Sequence, residues 1–325
     1  MSASRRTVTV PGKIILAGEY AVLEHAEAVA VAVDRRARAQ LADEPLAKLN
    51  PFVKAVREEM AESTAFGGVG RAALNAIRRV QVDVSALHNQ DGAKFGLGSS
   101  AATTVAAAAC ALSSQSGELP LDLIHRLAHG AHGEAQSLRG TRGSGADIAA
   151  CTYGGVIAVR MVDLGRPVEV RRLTWPTAAR LVFVWTGQPA DTATLVASVR
   201  ACRVSDRRSY DTAITRIAET SADVIEAIEL ADLPALINAI DGGGEAVEGL
   251  ARAADIELVL PVHRQVRELA RAQGGAAKPT GAAGGDVVAA VFAADQGAEA
   301  FVERCRAEGL TLLDAGIAET GVALG

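Results

Sequence analysis

A glycine-serine segment, residues 96–102, runs directly into an alanine-rich stretch and constrains the fold more than any other part of the chain. Gly96 and Gly98 permit backbone conformations that a Cβ atom would penalise, and Ser99 and Ser100 can cap the helix that the alanines form. Such a helix start attracts phosphate, because the helix dipole and the free N–H groups act on the same anion. The segment therefore predicts a nucleotide-binding site.

Length predicts a two-lobed protein, and net charge predicts no general affinity for nucleic acid or membrane. The chain has 325 residues, and with aromatic residues at only 3% its core must be built from Ala, Val, Leu and Ile. The 33 basic and 38 acidic residues give a net charge of −5, which provides no general attraction for nucleic acid or for an anionic membrane. We therefore expect neither partner, and local basic clusters must hold any anion.

The cysteines and the apolar runs predict a cytoplasmic protein. Cys110, Cys151, Cys202 and Cys305 lie far apart without a CxxC pair, which indicates a reducing compartment. No apolar signal region follows the first residues, and no apolar run reaches the ~20 residues of a membrane helix.

Three glycine-rich loops, residues 96–102, 139–147 and 278–286, each lie beside a predicted strand or helix end. Glycine costs ~0.5 to 1 kcal/mol relative to alanine where its flexibility is not needed, so three such loops are hard to explain by folding alone. Together they predict a phosphate-rich ligand held by backbone N–H groups at more than one point. A P-loop is disfavoured, because Lys13 is followed by Ile14 and not by Ser or Thr.

The hydrophobic pattern predicts strands mixed with helices in the first half of the chain and long helices in the second. Two strand pieces are expected at residues 7–10 and 14–16, on either side of a bend. A long helix is expected at residues 233–253, with an interruption at the glycines 242–244.

A dinucleotide-binding fold is the main alternative for the first glycine loop. Gly96, Gly98 and Ala101 match the G-x-G-x-x-A pattern, and residues 80–84 could form its strand. That unit should continue into a second apolar strand with an acidic residue at its end. A polar loop and another helix follow instead, so the alternative is disfavoured.

The glycine loops and one further segment together resemble the small-molecule kinases named for galactokinase, homoserine kinase, mevalonate kinase and phosphomevalonate kinase (GHMP). Residues 11–20 (PGKIILAGEY) look like the first motif of that superfamily, residues 96–102 like its ATP loop, and residues 278–286 like its third motif. The resemblance implies an α+β, two-lobed GHMP kinase fold. It predicts an N-terminal lobe similar to ribosomal protein S5 domain 2 (residues 1–175) and a ferredoxin-like C-terminal lobe (residues 176–325), with ATP and the acceptor in the cleft between them.

Within the superfamily the chain resembles the phosphomevalonate kinases most. The details that favour them are Lys94 with Phe95, the stretch 143–155, and Asp286 at the end of the third motif. The implied reaction uses MgATP to convert 5-phosphomevalonate to 5-diphosphomevalonate. Residues 28–36 match mevalonate kinases equally well, so that activity stays an alternative. A non-catalytic metabolite sensor is a third, and a homodimer is left open.

The resemblance also assigns roles to individual residues. Asp147 would orient or deprotonate the acceptor, Lys13 would stabilise the developing charge, and the hydroxyl of Ser100 would coordinate Mg²⁺. The residues assigned to ATP are Lys94, Gly96, Leu97, Gly98, Ser99, Ser100 and Ala101. Those assigned to the acceptor are Glu19, Tyr20, Arg142, Ser144, Gly145, Lys278, Gly281, Ala282 and Ala283.

Two further groups of residues are candidates for ligand binding. Arg139 and Arg142 flank the second glycine loop, and we expect at least one to reach a phosphate or carboxylate of the acceptor. His125, His129 and His132 share one helical face, as in some zinc sites. Because no fourth ligand accompanies them, we interpret them as partly exposed helix residues.

Overall fold

A computed structural model describes residues 7–65, 69–138, 140–141, 143–163 and 165–325, without the side chains of residues 115 and 116. Within these ranges the strands form two sheets, and neighbouring strands in both are antiparallel. A dinucleotide-binding unit needs parallel strands joined by a helix. The antiparallel pairing therefore excludes that alternative.

The first sheet contains the first motif, and the end of the chain returns to it from the second lobe. Its strands are β1 (Val8–Ala17), β2 (Glu27–Leu41), β3 (Val80–Asp83), β4 (Val156–Arg160), β5 (Glu169–Leu173) and β10 (Ala323–Leu324). Their order is β10-β1-β2-β4-β5, and β3 pairs with the second half of β2. The long β2 thus connects most of the sheet.

Helices of the first lobe pack on this sheet. They are α1 (Pro51–Ala65), α2 (Arg71–Ala76), α3 (Ser99–Ser116), α4 (Leu121–Ser137) and α5 (Ala146–Tyr153). The alanine-rich α3 contacts β1 and β2 on one side and α1, α4 and α5 on the others. Residues 105–109 of α3 are fully buried, and their small side chains let the neighbouring elements approach closely.

The second lobe is built on the other sheet. Its strands are β6 (Arg180–Trp185), β7 (Ala276–Pro279), β8 (Val287–Phe292) and β9 (Thr311–Leu313), in the order β7-β8-β6-β9. Its helices are α6 (Thr192–Ser205), α7 (Arg207–Glu229), α8 (Leu233–Ala254), α9 (Pro261–Ala272) and α10 (Asp295–Ala307). The boundary predicted between residues 175 and 176 lies between β5 and β6. However, β10 belongs to the residues assigned to the second lobe and pairs with β1 in the first sheet. The division into two continuous lobes therefore stays a prediction.

Two details of the predicted elements are wrong. The bend expected after residue 10 is a register shift between Pro11 and Gly12 inside a continuous β1, at the point where proline supplies no N–H to the ladder. The glycines at 242–244 do not interrupt α8. A Cβ at Gly243 would lie 3.2 Å from Lys278, and one at Gly244 would lie 2.8 Å from Arg267. These glycines therefore make room for buried cationic side chains.

The short strands β7 and β10 have no counterpart among the predicted elements. Their lengths of four and two residues are too small for a periodic pattern. Among the described residues, no helix combines the length and the apolar character needed to span a membrane.

Acid should destabilise the fold through His263, which joins α9 to the third glycine loop. Its Nδ1 accepts the N–H of Leu260 at 3.0 Å, and its Nε2 lies 3.2 Å from the carbonyl of Gly285. Burial lowers the pKa of His263 from 6.5 to about 4. Because the unfolded chain takes up this proton first, stability is full above the unfolded pKa and falls by about 2 kcal/mol near pH 5.

Urea unfolding at a series of pH values measures this effect. Substitution His263→Gln should flatten the pH dependence of the unfolding free energy by that amount. A variant with the slope of the wild-type chain would contradict the assignment.

Candidate active site

A cleft of about 410 Å³ lies where loops of the two lobes meet. Lys13 and Glu19 line it from β1 and the turn that follows, Ser100 from α3, Asp147 from α5 and Asp286 from the third glycine loop. The three glycine loops therefore converge on one site. A groove of similar volume, about 420 Å³, lies between α7 and α8, and none of the predicted site residues line it.

Lys13 is held against the first glycine loop. Its N–H donates to the carbonyl of Leu97 at 2.9 Å, which joins β1 to that loop. A Cβ at Gly98 would lie only 2.6 Å from Cε of Lys13. Glycine at position 98 therefore lets the lysine side chain cross the start of α3.

The start of α3 is open toward the cleft. Gly96 and Gly98 have φ angles of +88° and +73°, a region that favours glycine. The helix begins at Ser99, and its N-cap residue is Gly98, so neither serine is the cap. No side chain in the described residues caps the start of the helix. The first bond of the helix runs from Ala102 N–H to the Gly98 carbonyl. The preceding N–H groups are thus available to an anion.

Asp147 lies in the first turn of α5, directly after the second glycine loop. Burial raises the pKa of this carboxyl, but His132, Lys13 and a hydrogen bond from the N–H of Ile148 together hold it below the ordinary value. Its side chain keeps a fifth of its surface exposed. Asp147 is therefore an ionised carboxylate that faces the cleft near neutral pH.

The third glycine loop is fastened to the first motif. The N–H of Gly281 donates to the carbonyl of Ile15 at 3.1 Å, and the hydroxyl of Tyr20 donates to the carbonyl of Ala282 at 2.7 Å. Tyr20 and Ala282 both line the cleft. These bonds set the position of one lobe relative to the other at the site.

Asp286 is a cleft residue that the sequence reasoning did not assign. It has a φ of +56°, and its carboxylate accepts the N–H of Ala190 at 2.9 Å. Its side chain lies directly over Gly96, where a Cβ could not fit. Burial raises the pKa of Asp286, while Ala190, Lys13 and Lys94 oppose that rise. The sequence could have indicated a site role for Asp286, because this residue ends the third glycine loop.

Lys278 is not placed to contact the acceptor, which corrects the role predicted for it. The side chain is 1% exposed, and its ammonium group donates to Glu19 at 2.5 Å, to the carbonyl of Leu16 at 2.9 Å and to that of Pro279 at 3.0 Å. All three ammonium protons are used. Lys278 and Glu19 thus form a buried ion pair that joins β7 to the turn after β1.

Most of the predicted site residues line the cleft. They are Lys13, Glu19, Tyr20, Lys94, Gly96, Gly98, Ser99, Ser100, Ser144, Asp147, Gly281 and Ala282. Five others are buried behind its surface: Leu97, Ala101, Gly145, Lys278 and Ala283. Arg139 and Arg142 lie outside the described residues. The roles of the lining residues toward ATP and the acceptor stay predictions.

The three histidines of α4 are buried, so the prediction that they are partly exposed is wrong. His125, His129 and His132 are 4%, 8% and 3% exposed. Burial also lowers the pKa of His125 to about 4. The sequence signal was available, because these positions alternate with the buried residues Ile124 and Ala128 along one helical stripe.

Comparison with known proteins identifies the family. Residues 50–155 match the family model of the GHMP kinases N terminal domain. The phosphomevalonate kinase of Streptomyces sp. is 30% identical, over 91% of this chain and 92% of that relative. The chain belongs to the phosphomevalonate kinase family. The superfamily predicted from the three motifs is thereby confirmed.

Solved structures agree with this fold. A protein from Listeria innocua has a TM-score of 0.86 at 25% identity, with 99% of both chains covered. Streptococcus pneumoniae phosphomevalonate kinase, in complex with phosphomevalonate and AMPPNP, has a TM-score of 0.80 at 21% identity, with 96% of this chain and 99% of that chain covered. The two-lobed α+β fold is therefore confirmed.

The contact between Gly98 and Lys13 can be tested with a matched pair of glycines. Gly98→Ala should lower kcat about tenfold or more, because the new Cβ displaces the ammonium-bearing side chain. Gly92 also has a positive φ, of +81°, but nothing lies within 4 Å of its Cβ position. Gly92→Ala carries the same backbone strain and should keep kcat within about twofold. Equal kcat for both variants would contradict the contact.

Removing one partner of the buried ion pair should cause a large loss of stability, which a second substitution should largely restore. Lys278→Met should lower the unfolding free energy by about 3–5 kcal/mol, because Glu19 is left buried without its cationic partner. Adding Glu19→Gln should recover most of the loss. Urea unfolding measures both, with Lys54→Met as the control, since the pair of Lys54 with Glu58 is exposed and contributes about 0.5 kcal/mol or less. A loss no larger than that control would contradict a buried pair.

Proposed function

We propose that the chain transfers the γ-phosphoryl group of ATP to the phosphate of 5-phosphomevalonate, giving ADP and 5-diphosphomevalonate. The observation that carries the proposal is the convergence of Lys13, Asp147 and the open start of α3 on one cleft. Membership of the phosphomevalonate kinase family supports the choice of acceptor.

ATP is assigned to the first glycine loop. The free N–H groups at the start of α3 and the ammonium group of Lys94 are the anion-binding groups of this part of the cleft. The buried Leu97 and Ala101 hold the loop from behind. The same loop also positions Lys13 through the carbonyl of Leu97.

The donor set of the cleft fits Mg²⁺ held mainly by the nucleotide. Mg²⁺ usually takes one or two protein oxygens and completes its shell with phosphate oxygens and water. The hydroxyl of Ser100 lines the cleft beside the open helix start, and no group of three or more metal-binding side chains is found in the described residues. Bound there, Mg²⁺ would neutralise phosphate charge.

Phosphoryl transfer needs alignment and charge neutralisation more than covalent help. An oxygen of the acceptor phosphate attacks the γ-phosphorus, and the bond from that phosphorus to the ADP oxygen breaks. Lys13 supplies positive charge to the transferred group. The charges of Asp147 and Lys13 interact across the cleft, so the carboxylate attracts the ammonium group.

The ionised state of Asp147 is compatible with a phosphate acceptor. A carboxylate with a lowered pKa is a weak base for an alcohol proton. The second pKa of a phosphate monoester is about 6, so this acceptor is already largely ionised at neutral pH. Transfer to phosphomevalonate therefore needs no strong base, and Asp147 would act there through its charge and position.

The remaining predictions concern partners and location. The basic side chains that line the cleft within the described residues are Lys13 and Lys94, and a contact from Arg139 or Arg142 to the acceptor stays a prediction. A cytoplasmic location and the lack of nucleic-acid and membrane partners are proposals from composition and charge. A homodimer is likewise an open proposal.

Coupled assay of ADP release, with phosphomevalonate and mevalonate offered separately, tests the function. Turnover is expected with phosphomevalonate and not with mevalonate. Asp147→Asn and Lys13→Met should each lower kcat about 100-fold or more while AMPPNP still binds. Turnover of mevalonate but not of phosphomevalonate would contradict the proposed acceptor. Unchanged turnover in both variants would contradict the catalytic assignment.

A further inference from the structure

His132 lies behind the cleft, between its nucleotide side and its acceptor side. Its Nε2 is 3.3 Å from the hydroxyl oxygen of Ser100, and its Nδ1 is 3.9 Å from a carboxylate oxygen of Asp147. The side chain is 3% exposed. We propose that His132 is a positioning residue that sets the hydroxyl of Ser100 and the carboxylate of Asp147 relative to one another; this inference rests on the proposed function.

The neighbouring glutamine indicates which nitrogen of His132 carries the proton. The N–H of Gly143 donates to Oε1 of Gln136 at 2.9 Å, so the NH₂ group of that amide faces Nε2 of His132 at 3.5 Å. Because an amide NH₂ only donates, Nε2 is the acceptor. The proton of the neutral ring is then on Nδ1, which faces Asp147.

This tautomer has a consequence on each side of the cleft. The hydroxyl proton of Ser100 shares the lone pair of Nε2 with the NH₂ group of Gln136, which leaves the hydroxyl oxygen lone pairs for a cation on the cleft side. The Nδ1 proton faces Asp147 and favours its ionised form. One imidazole ring therefore orders a group assigned to the metal and a group assigned to catalysis.

The ring of His132 is fixed by its surroundings. Phe52 of α1 stacks on it, with ring centroids 5.5 Å apart and an interplanar angle of 28°. Through Gln136 the same assembly reaches Gly143 of the second glycine loop. A side chain whose orientation is fixed on several sides can hold its partners to the precision that group transfer requires.

Conservative substitutions separate the two contacts of His132. His132→Gln keeps an acceptor near the position of Nε2, and His132→Asn keeps a donor near that of Nδ1, while His132→Leu removes both. The control is His125→Leu, since His125 is a buried residue of the same helix that bonds Tyr153 and does not line the cleft. Each variant is measured for kcat with phosphomevalonate, for its affinity for Mg-AMPPNP by calorimetry, and for its stability in urea.

His132→Leu should lower kcat about 10- to 100-fold and weaken Mg-AMPPNP binding about tenfold. His132→Gln should recover the affinity but little of kcat, and His132→Asn should recover part of kcat but little of the affinity. His125→Leu should lose stability and keep both functional values within about twofold.

The proposal is overturned if His132→Leu matches His125→Leu in kcat and affinity. It is also overturned if the Gln and Asn variants recover neither value, or recover both equally. If His132→Leu does not fold, the contrast between Gln and Asn still decides. A wild-type chain without phosphomevalonate turnover would refute the proposed function instead, and the nucleotide affinities would still test His132.

Discussion

The backbone of β1 is the feature on which the candidate site depends. The N–H of Lys13 bonds the carbonyl of Leu97 in the first glycine loop, and the carbonyl of Ile15 accepts the N–H of Gly281 in the third. One strand thereby fastens two loops that are far apart in the chain, and Lys278 bonds the same strand from the second lobe. The strand that joins the loops of the cleft, β1, is therefore also the strand that places Lys13 in the cleft.

Charged side chains of both signs line the cleft. Lys13 and Lys94 line it together with Asp147, Asp191 and Asp286, and the pair of Glu19 with Lys278 is buried. The environment lowers the pKa of Asp147 but raises that of Asp286, so the two carboxylates are suited to different tasks. Substrates rich in phosphate add negative charge that two lysines alone do not balance, which is a physical reason for a divalent cation.

Short-range chemistry made much of this predictable from the sequence. The glycines at 96 and 98, followed by alanines, fix an open helix start, and the order of three motifs identified the superfamily. Contacts between segments that are far apart in the chain could not be predicted in this way. Nothing near Lys278 in the chain indicates a partner at Glu19, and the burial of His132 depends on α1 and α5 packing over α4. The glycines of α8 were misread because the side chains they accommodate come from elsewhere.

The structure of a ternary complex with AMPPNP, Mg²⁺ and phosphomevalonate is the most direct test of the central claim. We expect the nucleotide phosphates at the start of α3, the acceptor phosphate beside Asp147, and the ammonium group of Lys13 within hydrogen-bonding distance of the γ-phosphate. Phosphates bound away from the start of α3, or a Lys13 side chain turned away from both ligands, would contradict it.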